Sequence, residues 1–488
     1  MNHHFLEPQD SFYKQIDYKV CSPEDTIQRI RNILFTNDIP VIESHWFRED
    51  DLKLFSLTLA TVDFPHRVQG KGINEKYALA SAYAELIERL QNVSVLFGKN
   101  SIKKLNLPDQ TTFNYMSFKE NNEHVYQALF PKNKYSESRI NEHIKSLSDI
   151  YNVSYYCVNN DSMASLPERL LVASTGSSGM CAGNTGEEAI IQGICEIFER
   201  FALKKIYYSN PDLPDIPRAM FKNYTVCSSF IEGLENRGFE VIIKDCSFGG
   251  RYPVVGVFLK KDNSCIFKLG ASPHFSIATE RCFTEIFQGR ALNSIEPLLM
   301  PLDNDTNIKN DISEQEKYWR EQFYKTATFD SGVLRSVILK KNIRFNENHL
   351  YTFDSLSSKS ALIQLYNRSI KHETIYIRDT SFLGFPTFYI FMPAFSVLYY
   401  LDFNSIKLTE KEKLVKIFFN LENISEQERL YLNQVLQSKE KQYPTKEILL
   451  RINSFTDILE KANYLYNKLQ FKINQYDFSQ RCVKDMFS

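Results

Sequence analysis

The chain lacks several features that would assign it to a broad class at once. No run of about 18 apolar residues occurs in its 488 residues, so no transmembrane helix is predicted. Its 58 basic and 59 acidic side chains nearly cancel, so no overall field attracts nucleic acid or an anionic membrane. The first ten residues have neither the basic nor the apolar region of a secretory signal. We therefore expect a cytoplasmic protein with local binding sites and no nucleic-acid or membrane partner.

Paired cysteine motifs are also lacking. The nine cysteines include no Cys-x-x-Cys pair, and several of them lie within apolar helical patterns. This spacing is typical of a reducing compartment and predicts neither a disulfide framework nor a zinc knuckle. The composition, 43% hydrophobic and 14% aromatic, is that of a folded globular protein with substantial cores.

Three predicted helices carry carboxylates among residues that are otherwise apolar. In residues 185–204 four polar side chains fall within an arc of about 80°, since each residue turns the helix by about 100°. These side chains are Glu188, Gln192, Glu196 and Glu199. An exposed face of this length normally alternates lysine with glutamate, and this one does not. The pattern therefore predicts a nearly buried helix with an acidic stripe.

The two other helices have the same design. In residues 76–90, the charged side chains of Glu85, Glu88 and Arg89 stand among alanine, leucine and isoleucine. In residues 277–290, a polar stripe about 60° wide contains Arg281, Glu285 and Gln288. Carboxylates crowded on nearly buried helices need a cation, which a basic side chain or a metal ion can supply. Hard oxygen ligands suit Mg²⁺, which also bridges to phosphate oxygens. The three helices together predict one shared site for a nucleoside triphosphate held through magnesium.

Two simpler interpretations stay open at this point. Thr185 and Glu188 fit the capping-box pattern, in which both side chains satisfy the amide groups of a helix start. Arg89 and Arg200 could neutralise neighbouring glutamates, so the three helices could instead carry an interhelical salt-bridge network.

The small-residue loop from Gly176 to Gly186 ends at a helix start, where free amide groups and the helix dipole favour an anion. We interpret it as a candidate phosphate cradle, although a plain turn would look similar. No GxxxxGK[ST] motif occurs, and Gly70-Lys71-Gly72 lacks the spacing of that motif. Cys181 in this loop has no histidine nearby in sequence, which argues against a nucleophile and for a packed residue.

The remaining patterns predict an α/β (α+β) fold. A helix begins at Pro23 and a strand covers residues 54–62, followed by a turn at 69–72. Residues 100–150 are interpreted as an irregular surface excursion, 169–175 as a strand, and 260–263 as the turn of a hairpin. From about residue 406 the chain becomes rich in lysine, glutamate and asparagine with helical spacing. We therefore divide it into a domain of residues 1–405 and an all-helical region of residues 406–488.

Four segments resemble the YcaO family. They are KVCSPEDTIQRI (19–30), GKGINEKYALASAYAELIERL (70–90), SGMCAGNTGEEAIIQGICEIFER (178–200) and SPHFSIATERCFTEIFQGR (272–290). The similarity is collinear over roughly residues 15 to 400. It implies the YcaO-type fold, in which helices and sheets enclose an ATP and Mg²⁺ site without a Walker loop.

The resemblance also implies roles for individual residues. The predicted Mg²⁺ ligands are Glu85, Glu88, Glu188, Glu196, Glu199 and Glu285. The predicted ATP-binding residues are Lys19, Thr26, Cys181, Asn184, Arg200, Arg281 and Gln288, and the predicted catalytic residues are Glu199, Arg200 and Arg281. Cys181 departs from the family pattern, since a serine stands at this position in close relatives.

The family's chemistry is the ATP-dependent phosphorylation of an amide oxygen, followed by attack of a nucleophile. The chain resembles in particular the stand-alone enterobacterial type, which ends in a helical domain and is associated with methylthiolation of a ribosomal protein. The C-terminus RCVKDMFS is not proline-rich as in azoline-forming members. We therefore expect thiolation or methylthiolation chemistry ahead of azoline formation, on a peptide or ribosomal-protein substrate. A sulfur-donor or modifying-enzyme partner and a homodimer are compatible with this expectation, and a nucleotide-binding scaffold without turnover is the alternative of another class.

Overall fold

A computed structural model of the chain describes residues 19–62, 67–92, 107–132, 134–145, 150–291, 295–302, 319, 337, 343–352, 357–401, 468–477 and 481–487. Its helices are α1 (Pro23–Thr36), α2 (Glu75–Gln91), α3 (Tyr115–Asn121), α4 (Glu123–Leu129), α5 (Glu137–Lys145), α6 (Glu168–Thr175), α7 (Gly186–Ser209), α8 (Thr225–Glu235), α9 (Phe275–Phe287), α10 (Ser358–Leu365), α11 (468–474) and α12 (Arg481–Met486). None of these helices combines the length and the apolarity needed to span a membrane.

The strands form three sheets in which every pair is antiparallel. The strands are β1 (Val41–Glu49), β2 (Leu54–Thr61), β3 (Arg67–Gly72), β4 (Thr111–Thr112), β5 (Tyr151–Cys157), β6 (Ser162–Leu166), β7 (Met180–Ala182), β8 (Glu240–Asp245), β9 (Val254–Lys261), β10 (Ser264–Ala271), β11 (Met300–Pro301), β12 (Tyr376–Asp379) and β13 (Thr387–Phe391). The sheet orders are β1-β2-β3, β11-β10-β9-β8 and β4-β5-β12-β13-β7, with β6 beside β5. The predicted hairpin at residues 260–263 is confirmed, since β9 and β10 pair across it.

The predicted turn at residues 69–72 is wrong, because these residues form most of strand β3. Its glycines allow close packing against α2. A Cβ atom at Gly70 would lie 2.1 Å from the carbonyl oxygen of Ala78, and one at Gly72 would lie 2.5 Å from the Ala78 amide nitrogen. The close contact of these glycines with Ala78 thus brings α2 onto the sheet and sets the distance of its glutamates from β3.

The predicted strand at residues 169–175 is also wrong, because this segment lies within helix α6. Leu170 and Leu171 are buried together with Ser174 and Thr175, which is the spacing of one helix face. A short apolar run such as LLVA does not distinguish a strand from a buried helix, so packing decides between them.

The segment interpreted as an irregular surface excursion contributes to the core. Within residues 107–145, helices α3, α4 and α5 bury apolar side chains against the largest hydrophobic cluster. Val125 and Leu129 are fully buried, and Ile140 is 2% exposed. Their spacing is helical, but polar neighbours dilute the pattern in the sequence.

Most of the predicted helical region 406–488 lies outside the described residues. In its described part, α11 and α12 are helical, and Leu469 and Ile473 are buried in the same cluster as α2. The division at residues 405 and 406 stays a prediction.

Candidate active site

The three acidic helices surround one cavity. Helix α2 packs on β3, α9 packs on β10, and α7 packs on β7 and β10, so their polar stripes face each other between the sheets. The cavity has a volume of about 850 Å³, within the usual range of a small-molecule site. Of the predicted site residues, those that line it are Lys19, Thr26, Glu85, Glu88, Asn184, Glu188, Glu196, Glu199, Arg200, Arg281, Glu285 and Gln288.

Cys181 is the predicted site residue that does not line the cavity. Its side chain is fully buried in β7, and its Sγ donates to the carbonyl oxygen of Phe388 at 3.6 Å. Burial raises the pKa of this thiol well above its ordinary value, with Glu88 and Glu196 adding to the effect. Cys181 is therefore a packed core residue, which is the interpretation that the lack of a nearby histidine in the sequence favoured.

The Glu188 carboxylate lies at the start of α7 and is paired with Lys19. The Thr185 hydroxyl accepts a hydrogen bond from the Glu188 amide at 3.3 Å, so Thr185 caps α7. The Glu188 carboxylate accepts from Lys19 Nζ at 2.8 Å and from the Val20 amide at 3.2 Å. Burial opposes its charge, but Lys19 and these hydrogen bonds keep the pKa of Glu188 below its ordinary value. The carboxylate is therefore ionised and faces the cavity.

Thr26 and Asn184 meet at the same end of the cavity. The Thr26 hydroxyl donates to Asn184 Oδ1 at 3.0 Å, and both side chains are buried. Arg29 Nη1 donates to the Asn184 carbonyl oxygen at 3.0 Å, which holds the loop before α7 against α1. The structure thus brings the N-terminal element and the phosphate-cradle loop into contact, across 158 residues of sequence.

Glu85 and Glu88 share Arg89 as their counterion. Arg89 Nη1 lies 2.7 Å from Glu88 and Nη2 lies 3.5 Å from Glu85. Burial raises the pKa of Glu88 well above its ordinary value; Arg89 lowers it, and the carboxylates of Glu196 and Glu85 raise it further. These like charges on α2 and α7 are close enough to compete for one cation.

On α7, Glu196 is paired with Arg200 at 3.6 Å. Burial raises the pKa of Glu196, whereas Arg200 and Arg89 lower it. Glu199 forms no ion pair within 4 Å in the described part of the chain, and its charge acts on Lys71 and Lys268. Burial, together with the charges of Arg290 and Arg200, lowers the pKa of Lys268 to about 7. The basic side chains that act on the carboxylates of α7 are Arg89, Arg200, Lys71 and Lys268.

On α9, Arg281 donates to the Ala271 carbonyl oxygen at 2.8 Å, while Glu285 is ion-paired with Lys71. Gln288 accepts from Lys71 Nζ at 3.3 Å and donates to the Gln69 carbonyl oxygen at 2.6 Å. Burial lowers the pKa of Lys71 to about 8, since the acidic neighbours only partly offset it. The end of α9 is thus tied to β3 through the cavity.

Several residues that line the cavity were given no role from the sequence, and Lys71 and Glu280 are two of them. Lys71 appeared in the sequence analysis in the Gly70-Lys71-Gly72 turn and in the segment 70–90 that resembles the family, but it was given no role, although it lies shortly before the acidic helix α2. Glu280 stands beside Arg281 but about 100° away from the stripe of Arg281 and Glu285. The helical wheel of α9 placed Glu280 outside the polar stripe, so the sequence did not predict it as a site residue. In the structure the start of α8 also lines the cavity, and Glu280 lines the cavity with it.

Burial raises the pKa of Glu280 to about 7, and Arg281 only partly lowers it. Between pH 4.5 and 7 the folded protein therefore binds a proton that the unfolded chain has lost, so stability falls as pH rises through this range. A rise of the pKa from 4.5 to about 7 corresponds to about 3 kcal/mol. We expect Glu280→Gln to be more stable than the wild type by about 1–2 kcal/mol at pH 8, with a smaller gain at pH 5.

Urea unfolding at the two pH values measures this difference. Glu232→Gln, at an exposed position of α8, is the matched control and should show no pH-dependent gain. A gain for Glu280→Gln that is equal at both pH values would contradict the raised pKa.

The donor set fits Mg²⁺ with a nucleoside triphosphate. In the described part of the chain, no three acidic, histidine or cysteine side chains lie close enough together to bind a metal ion by themselves. Mg²⁺ usually takes only one or two carboxylates and completes its octahedron with water and phosphate oxygens. Arg200 and Arg281 supply the guanidinium groups that suit phosphate. The fold and cavity therefore suit a nucleoside triphosphate held with Mg²⁺ on carboxylate-bearing helices, without a Walker loop.

A family model described as YcaO cyclodehydratase, ATP- and Mg²⁺-binding, matches residues 69–396, well over half of the chain. The chain belongs to the YcaO family. This match confirms the family and the cofactors, ATP and Mg²⁺, that the sequence motifs implied.

Two relatives show the extent of the similarity. A Haemophilus influenzae protein, described as uncharacterised, is 27% identical over 79% of this chain and 66% of its own length. The Escherichia coli ribosomal protein S12 methylthiotransferase accessory factor YcaO is 28% identical over 68% of this chain and 57% of its own length. The chain thus spans about three fifths of the length of these relatives.

A solved structure, a heterocyclase in complex with substrate and cofactor, covers 86% of this chain and 58% of its own with a TM-score of 0.53. Its sequence identity is 14%, so the likeness concerns the fold. The mixed helix and sheet fold expected from the sequence is confirmed.

Proposed function

We propose that this protein uses ATP to phosphorylate the oxygen of a peptide or protein amide, in a thiolation or methylthiolation modification. The observation that supports this proposal is one cavity that collects seven glutamates and the guanidinium groups of Arg200 and Arg281. Phosphoryl transfer needs positioned charges more than covalent chemistry, and this cavity offers them. The name of the E. coli relative favours a ribosomal protein, S12, as the substrate to test first.

The residues divide into three tasks under this proposal. Asn184, Thr26 and Lys19 would hold one end of the nucleotide, since they lie at one end of the cavity. The glutamates of α2, α7 and α9 would hold Mg²⁺, which when bound disperses the charge on the transferring phosphoryl group. Arg200 and Arg281 would neutralise the phosphate oxygens as charge moves between them.

An amide oxygen is a poor leaving group, and its phosphorylation makes it a good one. A sulfur nucleophile can then attack the amide carbon and release phosphate. All eight described cysteines are free thiols, which agrees with the reducing cytoplasm where we place the protein.

Turnover of ATP with a candidate substrate tests the proposal. We expect ADP formation by the purified protein with Mg²⁺ and ATP to rise when ribosomal protein S12 is added. Glu199→Gln is the inactive reference, and an unrelated small basic protein controls for charge. Nucleotide binding without turnover under every condition would favour a scaffold that recruits another enzyme.

Azoline formation is the second candidate, because the heterocyclase similar in fold is described with a bound substrate. Mass spectrometry of the product distinguishes the two reactions. Azoline formation removes one water from the peptide, whereas thiolation replaces oxygen by sulfur.

A further inference from the structure

Lys71 reaches the middle of the cavity from β3. Its Nζ is ion-paired with Glu285 and donates to Gln288 Oε1 at 3.3 Å. Its charge also acts on groups of all three helices: Glu85, Glu199, Arg200 and Arg281.

The position of Lys71 is set by its neighbours. Gly70 and Gly72 hold β3 against α2, which fixes the start of the lysine side chain. Gln288 accepts from its ammonium group while donating to the Gln69 carbonyl oxygen at 2.6 Å. Gln288 is therefore a positioning residue that keeps the Lys71 ammonium group pointed into the cavity.

Binding of Mg²⁺ to Glu285 would remove the ion-pair partner of Lys71. Glu285 is one of the predicted metal ligands, and a carboxylate that binds a divalent cation no longer neutralises an ammonium group beside it. Arg200 and Arg281 repel Lys71, and Glu199 and Glu85, which attract it, are predicted Mg²⁺ ligands as well. With Mg²⁺ bound to these carboxylates, the ammonium group would need a new anion. ATP, which enters the cavity with Mg²⁺, supplies such an anion in its phosphate oxygens.

We propose that Lys71 binds the terminal phosphates of ATP, exchanging Glu285 for a phosphate oxygen when Mg²⁺ and ATP enter the cavity. This proposal and the proposed function both rest on the cavity being the ATP site. The role of Lys71 does not depend on which substrate is modified. It adds a lysine to the phosphate-binding groups Arg200 and Arg281.

Calorimetric titration with AMPPCP and Mg²⁺, and separately with AMP, tests this role. We expect Lys71→Met to weaken AMPPCP binding by about 10- to 100-fold, as for loss of a charge-assisted hydrogen bond. AMP binding should change by less than about 3-fold, because AMP lacks the phosphates that Lys71 contacts. Lys71→Arg keeps the charge and should recover part of the AMPPCP affinity.

The control variant is Lys76→Met, an exposed lysine at the start of α2, which should bind both nucleotides as the wild type does. Thermal unfolding shows whether each variant is folded, and Lys71→Gln replaces Lys71→Met if the latter is not. An unchanged AMPPCP affinity, or equal losses for AMPPCP and AMP, would refute a phosphate contact. If the wild type itself fails to bind AMPPCP with Mg²⁺, the assignment of the ATP site fails and the role of Lys71 fails with it.

Discussion

Glu199→Gln should lose the binding of Mg²⁺ and ATP while the protein stays folded. We expect the affinity for AMPPCP with Mg²⁺ to fall by at least about 100-fold, equivalent to about 2.7 kcal/mol. Glutamine has the shape of glutamate but no negative charge, so it cannot replace a carboxylate ligand of Mg²⁺. Glu199 also has no ion-pair partner within 4 Å among the described residues, so the change breaks no salt bridge there.

The fold should survive because the neighbouring lysines can release protons. Burial already lowers the pKa of Lys71 to about 8 and that of Lys268 to about 7, so losing the nearby negative charge lets both become neutral near neutral pH. We expect the unfolding temperature to change by less than about 4 °C.

Calorimetry and thermal unfolding measure the two quantities. The matched control is Glu187→Gln, on the same helix but outside the cavity. Unchanged nucleotide affinity in Glu199→Gln would remove Glu199 from the metal site.

Arg89→Met should cause the largest loss of stability among changes at this site. Arg89 is 17% exposed and neutralises both Glu85 and Glu88, so methionine leaves two crowded carboxylates without their counterion. Breaking a buried ion pair from one side costs about 3–5 kcal/mol, and the opening to the cavity places this case near the lower end.

The loss should grow with pH. Burial raises the pKa of Glu88, so the folded state binds more protons than the unfolded state above about pH 4.5 and loses stability as pH rises. Without Arg89 the pKa of Glu88 rises further, so stability falls over a wider pH range. Urea unfolding should therefore show a larger difference between wild type and variant at pH 8 than at pH 5.

Arg48→Met is the matched control for Arg89→Met. Arg48, in β1, pairs with Glu75 of α2, the helix that carries Arg89, but the side chains of Arg48 and Glu75 are 52% and 40% exposed. Exposed pairs contribute about 0–1 kcal/mol, so this variant should unfold nearly as the wild type does. Equal losses for the two arginines would show that Arg89 does not stabilise a buried cluster.

Much of the fold followed from local patterns, and the errors had a common cause. Helices α1, α2, α7 and α9 and the hairpin β9–β10 were predicted because their periodicity and caps are local properties. Residues 169–175 and 69–72 were assigned wrongly because short apolar or glycine-containing runs fit more than one structure. Their conformation depends on what packs against them, as the approach of Ala78 to Gly70 shows.

The sequence by itself determined that glutamates lie on the inner faces of three helices and that a cation must balance them, because helical periodicity places side chains within one segment. The family motifs then identified the nucleotide and the metal. The tertiary structure decided which base faces which acid: Lys19 with Glu188, Lys71 with Glu285, and Arg89 with Glu85 and Glu88. It also moved Cys181 out of the cavity and brought Glu280 into it. These outcomes depend on distances between elements far apart in sequence, and only the packing of helices on sheets sets such distances.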